Sequence, residues 1–147
     1  MVIAITPGET WEWIHESDRD LPAEDQTVWG CRVLTSRQNG WVENHYAGSS
    51  SSKKKGGRRQ QEDRPDVEFR AGDYRRAAIV AGLEYVRNFK DADGVEIPME
   101  TRRLTIGGET LEVPTDKFLD RVPAEVLVDL AGAITDGPGL RETDRKN

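Results

Sequence analysis

An acidic segment at residues 91–94, with the sequence DADG, has the composition of a metal-binding loop. A calcium-binding EF-hand loop has glycine at position 6 and a bidentate glutamate at position 12. Gly94 and Glu100 have this spacing, but position 1 then falls on Phe89, which offers no oxygen ligand, and Pro98 falls inside the loop. Asp and Gly are also ordinary turn residues. We therefore predict a plain turn here and no bound metal.

Other side chains that do chemistry are few and scattered. His15, His45 and Cys31 have no characteristic spacing, whereas zinc needs three or four ligands. Most serines cluster in one linker, and none stands in a nucleophile-elbow context. The glycine pairs match neither familiar phosphate-binding loop. We expect a non-enzymatic protein without a cofactor.

Length and composition limit the fold to one modest domain. The chain has 147 residues, of which 35% are hydrophobic and 33% are charged. It contains no apolar run near the roughly 18 residues that a membrane-spanning helix needs. The first residues lack the basic and apolar regions of a signal peptide. We expect no membrane association, and we expect the protein to be cytosolic where it is made.

The net charge of −6 is unevenly distributed along the chain. Residues 1–48 carry a net charge of −5, residues 49–66 carry +3, and residues 67–147 carry −4. A short basic segment therefore joins two acidic pieces. Because both acidic pieces repel phosphate, we do not expect generic nucleic-acid binding.

The basic segment, residues 48–66, has no apolar side chain that could offset the entropy of ordering. Five basic residues fall within seven positions: Lys53, Lys54, Lys55, Arg58 and Arg59. These residues form either an electrostatic arm for an acidic or phosphate-bearing surface, or a solvated linker. On the first interpretation, the arm lies extended along an acidic groove of a neighbouring subunit and contacts its carboxylates.

Short strands are predicted in the first third of the chain. Residues 2–5 and 10–14 are expected to pair around Pro7-Gly8, and residues 27–34 form a third strand. In that strand the alternation favours Trp29, Cys31 and Val33 as the core face.

A short helix is expected after the third strand. Thr35 or Ser36 could cap this helix, which would run to Tyr46, although Gly40 weakens it.

All four tryptophans lie in the same first third of the chain. A small sheet could hardly bury every indole, so one or two of these side chains are expected to be interface anchors. The candidates are Trp11, Trp13 and Trp41, and core packing is the alternative for each of them.

Two helices and a hairpin are predicted in the remainder. A wide apolar face predicts a core helix at residues 73–89. Alternating runs at 102–106 and 109–113 flank Gly107-Gly108, which is a strong hairpin signal. A final helix begins at Pro123, and the Gly-Pro-Gly sequence at 137–139 ends it.

Strands and helices do not alternate regularly, which predicts an α+β fold rather than a parallel sheet. Short antiparallel strands and the hairpin then pack with two main helices. The organisation comprises a strand-rich segment (1–47), the basic arm (48–66), a helix-hairpin-helix part of the same domain (67–140) and a polar tail (141–147).

Several blocks of the chain resemble a known group of proteins. The blocks are ITPGETWEW, SDRDLPAEDQTV, AGLEYVRNFKDADGVEIP, LDRVPAEV and the terminal DRKN. In these blocks the chain resembles small proteins encoded in the structural-gene region of tailed bacteriophages. The basic arm departs from the resemblance, and the blocks carry no catalytic signature.

The resemblance implies a non-enzymatic virion component that is made in the host cytoplasm. The first role that it implies is that of a capsid-decorating or cement protein, and the second is that of a neck or tail component. The implied partners are the major capsid protein or neck and tail subunits, with many copies or a homo-oligomer in the assembly. The alternative is a tail-assembly chaperone, which binds unassembled tail subunits and leaves no place in the finished particle.

Overall fold

The computed structural model describes residues 1–44 and 71–146, which form an α+β fold with two antiparallel sheets and so confirm the predicted fold class. The first sheet has the order β1-β2-β3, and the second is a hairpin of β4 and β5. The strands are β1 Thr10–Trp13, β2 Val28–Arg32, β3 Leu83–Arg87, β4 Thr101–Ile106 and β5 Glu109–Pro114. The helices are α1 (residues 36–44), α2 Ala71–Gly82, α3 Asp116–Leu119 and α4 Ala124–Lys146, with short 3-10 turns at Glu16–Asp18 and Ala23–Asp25.

Aromatic side chains of β1 and β2 form the centre of the core. Trp13 lies opposite Trp29 in the register, and Trp11 lies opposite Cys31. Trp13, Trp29 and Cys31 are buried in this core. The alternation predicted for β2 is wrong, because all of its residues are buried, and beyond it Leu34 is buried whereas Val33 is only half-buried. Helices α2 and α4 complete this core with Ile79, Leu130 and Ile134. Residues on both sides of the basic arm therefore share one hydrophobic core.

Residues 2–5 form no strand, so their predicted pairing with the following strand is wrong. The turn itself is present, because the amide of Glu9 donates to the carbonyl of Thr6 at 3.1 Å. Gly8 follows a proline and has φ 86°, which is typical of a type II turn. Type II turns splay the flanking strands, whereas tight hairpins use types I′ and II′. β1 therefore pairs with β2 alone.

The helix predicted at 73–89 ends early, at Gly82, and the chain continues directly as β3. At this junction the guanidinium of Arg32 donates to the carbonyl of Ala81 at 3.0 Å. A Cβ atom on Gly82 would lie 2.4 Å from a methyl group of Ile134, so α2 packs closely on α4 there. The apolar pattern continued past the helix because both a helix and a buried strand need apolar residues. Pairing with β2 overrides the helical periodicity.

The predicted hairpin is confirmed, and its turn packs against α1. Gly107 and Gly108 have φ values of 60° and 85°, as a type I′ turn requires. Of the two predicted caps, Thr35 and Ser36, it is Thr35 that caps the helix: the amide of Gln38 donates to the Thr35 hydroxyl at 3.1 Å. The Gln38 side chain accepts from the Thr35 amide at 3.0 Å, which completes a capping box. This fixes the start of α1 beside the hairpin.

The final helix begins immediately after Pro123, as predicted. Gly137, with φ 78° and ψ 168°, interrupts α4 at the predicted end, and helical backbone resumes as far as Lys146. Across the two described ranges, no helix combines the length and the apolarity needed to cross a membrane.

Candidate functional site

The residues that the sequence predicts to bind a partner lie in different surroundings. Lys53, Lys54, Lys55, Arg58 and Arg59 lie outside the described residues. Trp13 is only 3% exposed and packs edge-on against the ring of His15, with 5.7 Å between ring centroids. A side chain buried this way offers no surface to a partner, so its assignment as a partner-binding residue is corrected to the core. Trp11 is half-buried against the same core.

Trp41 is the predicted partner-binding residue that lines an open groove. It lies on α1, and the groove runs between α1, α2, β4 and the start of α3, with a volume of about 490 Å³. We call this the Trp41 groove. Its apolar walls are Trp41, Ala77, Val80 and Leu104. Its charged rim is Asp73, Arg76, Arg102 and Asp116.

The two arginines on the rim differ in their partners. Arg76 donates to Asp116 and to Asp120, each at 3.2 Å. Arg102 makes no ion pair with any residue in the described ranges. It is exposed beside an apolar wall, so it is available to a carboxylate or carbonyl of a bound molecule.

The groove lies between the two helices that the basic arm connects. Helix α1 is described to residue 44, and α2 begins at Ala71. The intervening residues 45–70 include the whole arm. Connectivity therefore links the arm at both ends to the helices that wall the groove, so one partner could contact both.

The acidic segment 91–94 is a turn, as predicted. A carboxylate oxygen of Asp91 accepts hydrogen bonds from the amides of Asp93 and Val95, both at 2.9 Å. Gly94 has φ 83°, a conformation that glycine adopts without strain. Within the described part of the chain, no group of three or more potential ligand residues could hold a metal ion.

A hydrogen-bonded chain of Ser17, His15 and Asp129 escaped the sequence analysis. Nε2 of His15 lies 2.8 Å from the Asp129 carboxylate, and Nδ1 lies 2.9 Å from the Ser17 hydroxyl. The backbone amide of Ser17 also donates to Nδ1, at 3.2 Å. The imidazole therefore caps a 3-10 turn and ties it to α4. His15 and Asp129 are 114 residues apart, so no local pattern could have revealed the contact.

A second polar cluster covers the outer face of the three-stranded sheet. The Tyr85 ring lies over Gly30, where an added Cβ would be 2.2 Å from the ring. Tyr85 and Arg87 both donate to one carboxylate oxygen of Glu12. The hydrogen bond from Tyr85, followed by that from Arg87, lowers the pKa of Glu12. The same contact with Glu12 raises the pKa of Tyr85.

Arg32 is the charged residue that joins the two sheets. It is 8% exposed and donates to the carbonyls of Ala81, at 3.0 Å, and Glu112, at 3.4 Å. Burial lowers its pKa, because the charged form loses solvation, and nearby Glu84 and Glu109 oppose that shift. The contact stabilises the junction between α2, β2 and β5.

Comparison of the chain with protein-family models, with curated proteins and with solved structures gave no match.

Proposed function

We propose that this chain is a non-enzymatic structural accessory protein of a tailed-bacteriophage virion. Its role is that of a capsid-decorating or cement protein, or of a neck or tail component, which stabilises the particle through contacts between subunits. The partners are the major capsid protein or neck and tail subunits, and the chain reaches the virion after synthesis in the host cytoplasm.

The observation that carries the proposal is the position of the Trp41 groove. An exposed apolar groove with a rim arginine can hold a segment of another protein, and aromatic and arginine side chains are the usual anchors of such contacts. The basic arm connects the two helices that wall this groove. The residue blocks that resemble phage structural proteins supply the identity of the partner class.

The arm adds attraction for an acidic partner surface. Exposed ion pairs contribute roughly 0.2–1 kcal/mol each, so five of them offset only part of the entropy of ordering an arm of this length. Some contacts must therefore be sheltered from water or accompanied by backbone hydrogen bonds to the partner. Occupation of the Trp41 groove supplies apolar burial that the arm itself lacks.

Mass spectrometry of purified particles of the encoding phage tests the role. A decorating protein is expected in stoichiometric copies, on the order of tens to hundreds per particle for a symmetric shell. Absence from the particles, together with binding to free tail subunits, would replace this proposal with the chaperone role.

A charge variant tests the arm directly. Replacing Lys53, Lys54, Lys55, Arg58 and Arg59 by Gln should weaken attachment to particles and reduce its dependence on salt, while the fold stays intact. The matched control makes the same charge change at five exposed basic residues elsewhere: Arg75, Lys90, Arg103, Lys117 and Arg121. If the arm variant binds like the parent at every salt concentration, the arm is only a linker.

A further inference from the structure

Residues 1–5 are an apolar segment whose side chains are largely exposed. Met1, Val2, Ile3 and Ile5 are 107%, 97%, 78% and 50% exposed. Residues 1–8 include no charged side chain. The backbone groups of residues 1–5 make no hydrogen bond to any residue in the described ranges. An uncharged segment that is rich in β-branched residues and lacks these hydrogen bonds has the properties of a β-strand that can pair with the edge of a sheet.

A cleft adjoins the segment within its own domain. Ile3, Ala4 and Ile5 line a cleft of about 450 Å³ together with residues of their own domain that include Val33 and Ile134. None of residues 1–5 belongs to the hydrophobic core or to the partly buried residues packed against it.

β1 has a sheet edge of matching length that pairs with no other strand among the described residues. β1 is the outermost strand in the order β1-β2-β3 and has four residues. The carbonyl of Glu9 accepts from the amide of Val33, and antiparallel alternation then directs the backbone groups of Trp11 and Trp13 toward β2. The backbone groups of Thr10 and Glu12 consequently point outward from the sheet.

A tight hairpin within one chain cannot use this edge. With a two-residue turn at Pro7-Gly8, hydrogen bonds would join residues 2 and 4 to Trp13 and Trp11. Those backbone groups already bind β2. The outward groups of Thr10 and Glu12 are out of register for that hairpin, and the type II turn splays the segment away from them.

We propose that residues 2–5 add as an extra strand to the outer edge of β1 in a second copy of this chain. Every copy carries both the donor segment and the complementary edge, so reciprocal exchange closes a two-fold dimer in which both edges are covered. The exchange also shelters the apolar side chains that are exposed in the single chain. This inference concerns self-association and does not depend on the phage assignment.

Proline substitutions test the donor segment. Consecutive amides of a strand point to opposite sides, so one of Ile3→Pro and Ala4→Pro removes a ladder donor and the other removes an unused one. The dimer dissociation constant, measured by sedimentation, should rise by at least about tenfold for one of the two variants and by less for the other. Ile3→Val, which keeps the amide and the apolar character, should resemble the parent. Leu21→Asp controls for loss of an exposed apolar side chain elsewhere.

Hydrogen exchange and a mixing experiment test the edge. The amides of Thr10 and Glu12 should become protected as protein concentration rises, and the damaging proline variant should abolish this protection. Thr10→Pro should block the edge while leaving its own donor intact, so mixing it with the damaging variant should restore dimers that neither forms alone. Protection that is independent of concentration would show pairing within one chain and overturn the proposal. Unchanged dissociation constants for both proline variants would overturn it equally.

Discussion

Replacing Arg32 by methionine tests whether a buried guanidinium holds the two sheets together. Methionine keeps most of the side-chain length and its apolar packing but removes both donors. The carbonyl of Ala81, which accepts at 3.0 Å in a buried setting, then loses this partner. The carbonyl of Glu112 loses a longer contact of 3.4 Å.

The expected loss follows from these two contacts. A hydrogen bond from a charged donor contributes about 1.5–3 kcal/mol, and the longer contact adds less than about 1 kcal/mol. These are net values, which already include the cost of removing the guanidinium from water. The free energy of unfolding should therefore fall by about 2 kcal/mol, which lowers the melting temperature of a chain this size by about 4–8 °C.

Urea unfolding followed by tryptophan fluorescence measures this loss, because Trp13 and Trp29 are buried and become exposed on unfolding. Arg103→Met is the control, since Arg103 lies on the exposed face of the hairpin and pairs with the exposed carboxylate of Glu112. If Arg32→Met changes the free energy of unfolding by no more than Arg103→Met, the carbonyls do not need the guanidinium and the account of this junction is wrong.

Two further predictions concern the hairpin turn and the outer face of the sheet. Gly107→Ala and Gly94→Ala both force alanine to a positive φ, which costs about 1–2 kcal/mol. At Gly107 the new Cβ would also lie 2.9 Å from the backbone of α1, whereas Gly94 has open space, so the melting temperature of the Gly107→Ala variant should fall further. Equal losses in the two variants would contradict the tight packing of the turn. Glu12→Gln should lower the free energy of unfolding at pH 7 by at most about 1 kcal/mol. Because the pKa of Glu12 is lowered in the folded state, the difference should begin to shrink as pH falls below about 4 and should vanish only below the folded-state pKa. Because the pKa of Tyr85 is raised, the difference should also shrink as pH rises above about 10. Urea unfolding across this pH range measures both limits, and a constant difference would refute the assignment.

Local signals predicted much of the fold. The hairpin was evident because Gly107-Gly108 supplies the two positive φ values that a type I′ turn needs. The cap at Thr35 followed from its side chain and position. Features of this kind depend on residues within four positions of one another, which a sequence displays directly.

Long-range contacts account for the errors and omissions. The end of α2 at Gly82 depends on pairing with β2, about fifty residues earlier, and on contact with α4. The Trp41 groove combines α1, α2 and the hairpin, so the sequence could name Trp41 but not its neighbours. Burial of Trp13 was likewise undecidable from composition, because it depends on which sheet face the helices cover.

The direct passage from α2 into β3 has a mechanical consequence. No loop residue separates Gly82 from Leu83, so nothing at the junction absorbs a rotation of the helix. If a molecule seats in the Trp41 groove and shifts α2 through Ala77 and Val80, we expect β3 to move with the helix and the Tyr85–Glu12 hydrogen bond to change. Because the near-ultraviolet absorption of Tyr85 depends on its hydrogen bond, a change in that absorption on addition of a groove ligand would report this coupling.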